Sequence, residues 1–322
     1  MKWIDMHCDT LSEIVKRKGK DFSGKNSLKH SKLCVDIDRL IQEESVAQFF
    51  ACYVNAREYQ WDWNRAYQAV LEMIDEARAE EGDCFEIADD SMKIGHEKKT
   101  LTGILTVEEG GVLGGDLKRL DELCERGIRL LTLTWNYENC IGSPNSRDTK
   151  VMERGLTDFG RDVVERMNEL GMIVDVSHLS DGGFWDCIRY SKSPVTASHS
   201  NARSLCNHPR NLSDEMLHAL GEKGGVAGLN FYSVFLKGNG RATADDIAAH
   251  AKWMINRAGE DAVALGTDFD GFEPDFLPAG ISGVQDIERI WEGMRRNGIT
   301  SRQAEKIAYK NVMRLIREVR RL

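Results

Sequence analysis

The stretch Met172-Ile173-Val174-Asp175-Val176-Ser177-His178 decides how the rest of the chain is read. It is a short apolar run in which Ile173, Val174 and Val176 put apolar side chains on both faces. A strand buried on both faces belongs to a sheet that helices cover. Seven more segments read as strands, at roughly 2–7, 46–54, 102–108, 129–135, 194–199, 225–231 and 262–268. Helical patterns fall between most of them, at 62–80, 116–126, 158–170, 213–222, 243–257 and 284–297, with Leu117, Leu120 and Leu123 on one face of the second. Gly127, Gly171 and Gly259 stand where helix C-termini favour a left-handed residue. Strand and helix in alternation imply parallel pairing. Eight strands fit a closed (β/α)8 TIM barrel better than an open sheet. With no repeat, low-complexity tract or linker, residues 1–322 are expected to form a single barrel domain. The weakly periodic stretches 9–44 and 136–157 then become loop insertions over the C-terminal barrel face, and 301–320 become closing helices.

Composition narrows the class. The chain has 322 residues, 41% of them apolar and 30% charged, which suits a globular protein with a large core. No apolar run approaches the ~20 residues that span a bilayer. Lys and Arg number 43 against 52 Asp and Glu, a net charge of −9 that argues against nucleic acid or an anionic membrane as partner. Met1-Lys2 leads straight into a strand, so no signal peptide is read and a cytoplasmic location is expected. None of the eight cysteines forms a CxxC pair, which favours free thiols. Cys8 lies between two polar candidates, but strand alternation turns it the other way.

Chemistry concentrates at the ends of the strands. Five apolar runs terminate in His7-Cys8-Asp9, Glu108-Glu109, His178, His199 and Asp268-Phe269-Asp270. Three imidazoles and at least three carboxylates are the hard and borderline donors that suit Zn²⁺ and similar divalent ions. His7 and Asp9, two apart on a strand, share a face and can hold one ion. Asp9 is also placed to cap a helix beginning at Thr10. Of the two glutamates, Glu108 directly follows Val107 and is preferred as a carboxylate bridging two ions, with Glu109 one residue away as the alternative. His178 and His199 would supply two nitrogens to the second ion. Asp268 is nearer the strand than Asp270 and is assigned the proton transfer, while Asp270, before Gly271, also reads as a turn residue. Arg210, eleven residues after His199, offers a planar fork for a substrate carboxylate. His208 reads as a loop residue, and His30, His96, His218 and His250 as surface residues.

These segments, together with Leu131-Thr132-Leu133-Thr134, Asp175-Val176-Ser177-His178, Ser198-His199-Ser200-Asn201-Ala202 and Arg210-Asn211, closely resemble the membrane (renal) dipeptidase family of zinc peptidases. The likeness runs from residue 3 to about residue 315, and the 21-residue separation of His178 and His199 is specific to it. The resemblance implies a (β/α)8 barrel with two Zn²⁺. It implies His7 and Asp9 on one zinc, Glu108 bridging and belonging to the catalytic set, and His178 and His199 on the other zinc. Asp268 would carry the proton, and Arg210 and Tyr232 would hold the substrate carboxylate. The implied protein is a cytoplasmic member of bacterial type that cleaves small dipeptides, among them ones with a D-residue in the C-terminal position. A homodimer is compatible with it. The mammalian members have a histidine after Leu-Thr-Leu-Thr. Here Trp135 stands there, followed by Asn136, so these two are the candidates for contact with the substrate and for oxyanion stabilisation. The rival readings are another amidohydrolase-like hydrolase acting on a lactone or amide, and a metal-binding barrel without turnover. Many barrels of the first kind need a bridging lysine on the fourth strand, and Arg129–Trp135 contains none.

Overall fold

The computed structural model describes residues 1–18, 27–88, 94 and 100–320. Among the described residues nine strands follow in chain order: β1 Trp3–Cys8, β2 Ser45–Tyr53, β3 Phe85–Ile87, β4 Leu101–Glu108, β5 Ile128–Thr132, β6 Ile173–Asp175, β7 Val195–Ala197, β8 Val226–Leu229 and β9 Val263–Leu265. All pairings between them are parallel. β1 pairs with both β2 and β9, and β2 pairs with β4, so eight strands close into a (β/α)8 barrel. Each of the eight expected strands is present. β3 is additional: it lies along Leu101–Gly103 of β4, on the edge that β5 takes over from Leu105 onward.

Several strands stop short of their expected ends. β5, β6 and β9 end at Thr132, Asp175 and Leu265, and the following residues bend out of the ladder into the barrel mouth. His178, Asp268 and Asp270 all have positive φ, which strand pairing does not allow. The expectation that Asp268 and Asp270 share a strand face therefore fails: no strand persists there.

Helices fill the outer layer, and polar side chains set their starts. Asp62 accepts from the backbone of Asn64 and Arg65 to begin Trp63–Ala79. Thr243 and Asp246 form a reciprocal capping box for Ala244–Ala258. Gly127, Gly171 and Gly259 have positive φ as expected. Thr10–Arg17 begins where the capping reading of Asp9 put a helix start, and outside the expected helical patterns lie Ile37–Gln42, the short Thr149–Met152 and Ser233–Leu236, and Asp181–Tyr190. The last carries Gly182-Gly183 in its first turn, a weak helix signal, and Ser180 caps it by accepting from Gly183.

Ile4, Ala47, Ile104, Ile173 and Val226 pack with Val312, Leu315 and Ile316 of the helix Asn311–Val319. These strand residues all lie in the first half of their strands, so the C-terminal helix closes the barrel at the end opposite the mouth. Among the described residues, no helix is long and apolar enough to cross a membrane. All eight cysteines are free thiols, and Cys8 packs into the apolar core.

Candidate active site

Five strand ends deliver their polar residues to one cavity of about 330 Å³ at the C-terminal face. Its walls include Asp9, Tyr53, Glu108, Trp135, Asn136, His178, Arg210, Tyr232 and Asp268. His7 and His199 lie just beneath, each buried.

Glu108 is the centre of the arrangement. Its Oε2 is 3.4 Å from His7 Nε2, and its Oε1 is 3.0 Å from His178 Nε2 and 3.6 Å from His199 Nε2. The two carboxylate oxygens thus face two different histidine groups. On the Oε2 side, His7 Nε2 also lies 3.4 Å from Asp9 Oδ2 and 3.9 Å from Asp268 Oδ1. Glu109 turns away: its backbone is left-handed, and its Oε1 accepts from Gly111 N–H and Asn139 Nδ2. A helix does begin at Thr10, but the Asp9 carboxylate makes no capping bond and stays with His7.

The imidazoles are held so that their Nε2 atoms are bare. His178 Nδ1 lies 3.0 Å from Asn136 Oδ1, which only accepts, so Nδ1 carries the proton. His199 Nδ1 lies 2.7 Å from Ser198 Oγ, and that hydroxyl donates onward to Asp175 Oδ2 at 2.6 Å. His199 Nδ1 is therefore also the donor. Two Nε2 lone pairs then confront each other across 3.1 Å, with a carboxylate beside them. Burial holds His199 well below the usual range, with His7, Arg210 and His178 adding to the effect. Burial, then Arg210, holds His178 down at about 4. Proton sharing is thus disfavoured and a cation fits. Buried His7 Nδ1 and Nε2 and Asp9 Oδ1 make no hydrogen bond, as expected of atoms shaped around an ion. His7–Glu108–His199 and His7–Asp9–Asp268 each bring three donor atoms within 4.8 Å of one another.

Backbone features support this packing. A Cβ at Gly228 or Gly266 would meet Ser198 O at 1.9 or 1.8 Å, so only glycine lets the strand end carrying His199 sit where it does. A Cβ at Gly271 would meet Asp268 Oδ1 at 2.2 Å and Asp9 Oδ2 at 2.4 Å. Asp268 takes a left-handed backbone, donates its N–H to His7 O, and accepts from Asn230 Nδ2 at 2.8 Å. Burial, with the nearby Asp9 and Glu108 charges, pushes its carboxyl up to about 8 against the opposing pull of His7 and Arg210. Asp270 is employed elsewhere, accepting from Thr10 Oγ1 at 2.6 Å and Cys34 N–H at 2.8 Å.

Arg210 is buried, and burial lowers its pKa to about 10. Its Nη atoms make two long contacts, to Ser200 Oγ and His199 O at 3.4 Å each, and its Nε has no partner. Tyr232 lines the same cavity. Trp135 packs 5.1 Å from Tyr53 and 6.2 Å from His178, centroid to centroid. Asn136 orients His178 through its Oδ1 and lines the same cavity. Two polar residues of the quoted segments, Asp175 and Ser198, had been given no role, and Asn230 had not been singled out. Asp175 accepts from Ser177 N–H, Ser198 N–H, Thr132 Oγ1 and Ser198 Oγ, Ser198 links it to His199, and Asn230 holds Asp268. Their signal was position alone, next to or beneath a ligand candidate. Of the four histidines read as surface residues, His30 and His218 are exposed and His96 lies outside the described residues. His250 is a correction: it is buried, accepting from Ala202 N–H on Nδ1 and bonding Leu236 O through Nε2.

A barrel whose mouth gathers histidines around a central carboxylate defines a metal-dependent hydrolase. The family model for membrane dipeptidase (peptidase family M19) matches residues 1–322, and the chain belongs to that family. An uncharacterised dipeptidase of Schizosaccharomyces pombe is 33% identical over 300 residues, covering 87% of this chain and 71% of that one. The dipeptidase tcpJ of Claviceps purpurea is 31% identical over 300 residues, covering 88% and 69%. A metallopeptidase of Rhodobacter sphaeroides, solved with a phosphinate mimic of the dipeptide L-Ala-D-Ala, superposes with a TM-score of 0.85 at 26% identity and 99% coverage of both chains. The protein is accordingly a metal-dependent dipeptidase.

Proposed function

We propose that the protein is a dinuclear zinc dipeptidase that binds its substrate through a free α-carboxylate. The observation that carries this reading is Glu108, whose two oxygens face separate histidine groups. His7 and Asp9 would hold one ion, His178 and His199 the other, and Glu108 both. When bound, such a pair lowers the pKa of water and polarises the scissile carbonyl.

The chain's own residues supply the rest. Arg210 has an unpartnered Nε and two weakly engaged Nη atoms, so a substrate carboxylate displaces little when it docks there. Tyr232 borders that position. Asp268, held by Asn230 with its Oδ1 3.9 Å from His7 Nε2, takes the proton of the attacking water and passes it to the leaving amine. The Rhodobacter sphaeroides relative was solved with a mimic of L-Ala-D-Ala, which supports a D-residue in the C-terminal position here as well. A cytoplasmic setting suits eight free thiols. The test is amine release from L-L and L-D dipeptides by the apo and the zinc-reconstituted protein. Zinc-dependent release supports the reading, and none from any dipeptide refutes it.

A further inference from the structure

The cavity has two unlike sides. Around the barrel the strands run β1, β2, β4, β5, β6, β7, β8, β9. β2 is therefore diametrically opposite β7, and β4 opposite β8. Arg210 lies beyond β7, in contact with Ser200 and the His199 carbonyl. Opposite it across the cavity is Tyr53, the last residue of β2, and Trp135, just beyond β5, packs beside Tyr53 on the adjoining wall. Their rings pack at 5.1 Å, and Tyr137 extends the cluster at 5.5 Å from Trp135. Both Tyr53 and Trp135 border the open cavity.

This placement sorts the two halves of a substrate. With the C-terminal carboxylate on Arg210 and the scissile bond over Glu108, the N-terminal residue extends toward β2 and β5. Arg57 stands 5.6 Å from the Tyr137 ring centre, and the cation that borders the cavity beside Tyr53 is Lys16, whose Nζ stands 6.0 Å from the Tyr53 ring centre. It is already countered by Glu58 at 3.4 Å and Glu13 at 3.7 Å. The rings of Tyr53 and Trp135 give this wall an aromatic surface beside the polar rim of Ser12, Glu13 and Lys16.

Resting on the dipeptidase reading above, we propose that Trp135 and Tyr53 are specificity-determining residues that select a large apolar or aromatic side chain on the N-terminal residue of the substrate. An aromatic face rewards such a side chain through burial and ring contact and gives nothing to glycine or alanine. Discrimination of this kind amounts to about 10- to 100-fold in kcat/KM.

The experiment measures kcat/KM of the zinc-reconstituted full chain on Phe-Ala, Leu-Ala, Ala-Ala and Glu-Ala, each with L- and D-alanine. Wild type is expected to prefer Phe-Ala and Leu-Ala over Ala-Ala by about tenfold or more. Trp135→Ala is expected to collapse most of that ratio, chiefly through KM for the bulky substrates, and Trp135→Phe to keep most of it. Zinc content and the melting temperature establish that each variant is folded. A wild type that favours Ala-Ala overturns the inference whatever the variants do, and so does an unchanged ratio in Trp135→Ala. Preference for Glu-Ala would assign selection to Lys16 and overturn it too. Each of these leaves the dipeptidase reading standing. Failure to cleave any dipeptide overturns that reading and this one with it.

Discussion

Replacing Arg210 by lysine separates charge from geometry. The guanidinium is buried over the Phe235 ring, with its centre 5.4 Å from the ring centroid. Among the described residues its side chain makes two hydrogen-bond contacts to oxygen, both at 3.4 Å and so near the limit of a hydrogen bond, and its Nε has no partner. Little internal bonding is therefore lost on substitution, and the effect falls on the substrate. A planar fork gives a carboxylate two parallel charge-assisted bonds, whereas an ammonium gives one at best. Losing one such bond costs about 1.5–3 kcal/mol, or roughly 10- to 150-fold in kcat/KM. Steady-state hydrolysis by Arg210→Lys is expected to fall by that factor on free dipeptides. On the same dipeptides with an amidated C-terminus, already poor substrates of the wild type, the substitution should change little. Equal losses on both would mean that Arg210 serves the fold of its loop, and the carboxylate-anchored reading would fail.

Further expectations follow from other residues. Asp268→Asn keeps an acceptor for Asn230 but cannot take a proton, so kcat should drop by on the order of 100-fold while much of the metal is retained. If Asp270→Asn shows that loss and Asp268→Asn does not, the proton carrier has been misassigned. Ser198→Ala deprives His199 Nδ1 of its acceptor while Asp175 keeps Thr132 and two backbone N–H groups, so zinc affinity, read by chelator competition, should fall about 10- to 100-fold with little change in Tm. Unchanged affinity would remove the Asp175–Ser198–His199 chain from the account. His250 gives a pH signature. Burial lowers its folded pKa below the unfolded value of about 6.5, so the unfolded state binds the proton more readily. Its stabilising contribution is then complete above about pH 6.5 and is lost as pH falls toward the folded value. Urea midpoints at pH 7 and pH 5 should differ more for wild type than for His250→Gln, and parallel pH dependences would contradict this.

The barrel was legible in the sequence because buried parallel strands are apolar on both faces and recur between helical patterns. The Ile173–Asp175 segment is one example, and all eight such segments occupy the barrel. What strand periodicity could not convey is the chain's departure at the mouth. His178, Asp268 and Asp270 leave the ladder through left-handed backbone, which no alternation pattern signals. Glu108 was preferred to Glu109 only for directly following Val107, and it is the φ of 103° at Glu109 that turns their carboxylates in different directions. Asn136 was read for what it could give a substrate, and its contact with His178 across 42 residues of sequence was not legible. The Asp175–Ser198 link joins different strands, and a helical pattern around His250 does not say which of its faces is covered. Such partners come from the closing of the barrel, a property of the whole chain.

Metal content in paired variants tests the central claim most directly. Elemental analysis after zinc reconstitution and removal of free ion should find about two ions per chain in the wild type and in Glu109→Gln, and fewer in Glu108→Gln. Dipeptide hydrolysis should follow the same order. No bound metal in the wild type, or full metal in Glu108→Gln with a loss in Glu109→Gln, would contradict a site built around Glu108.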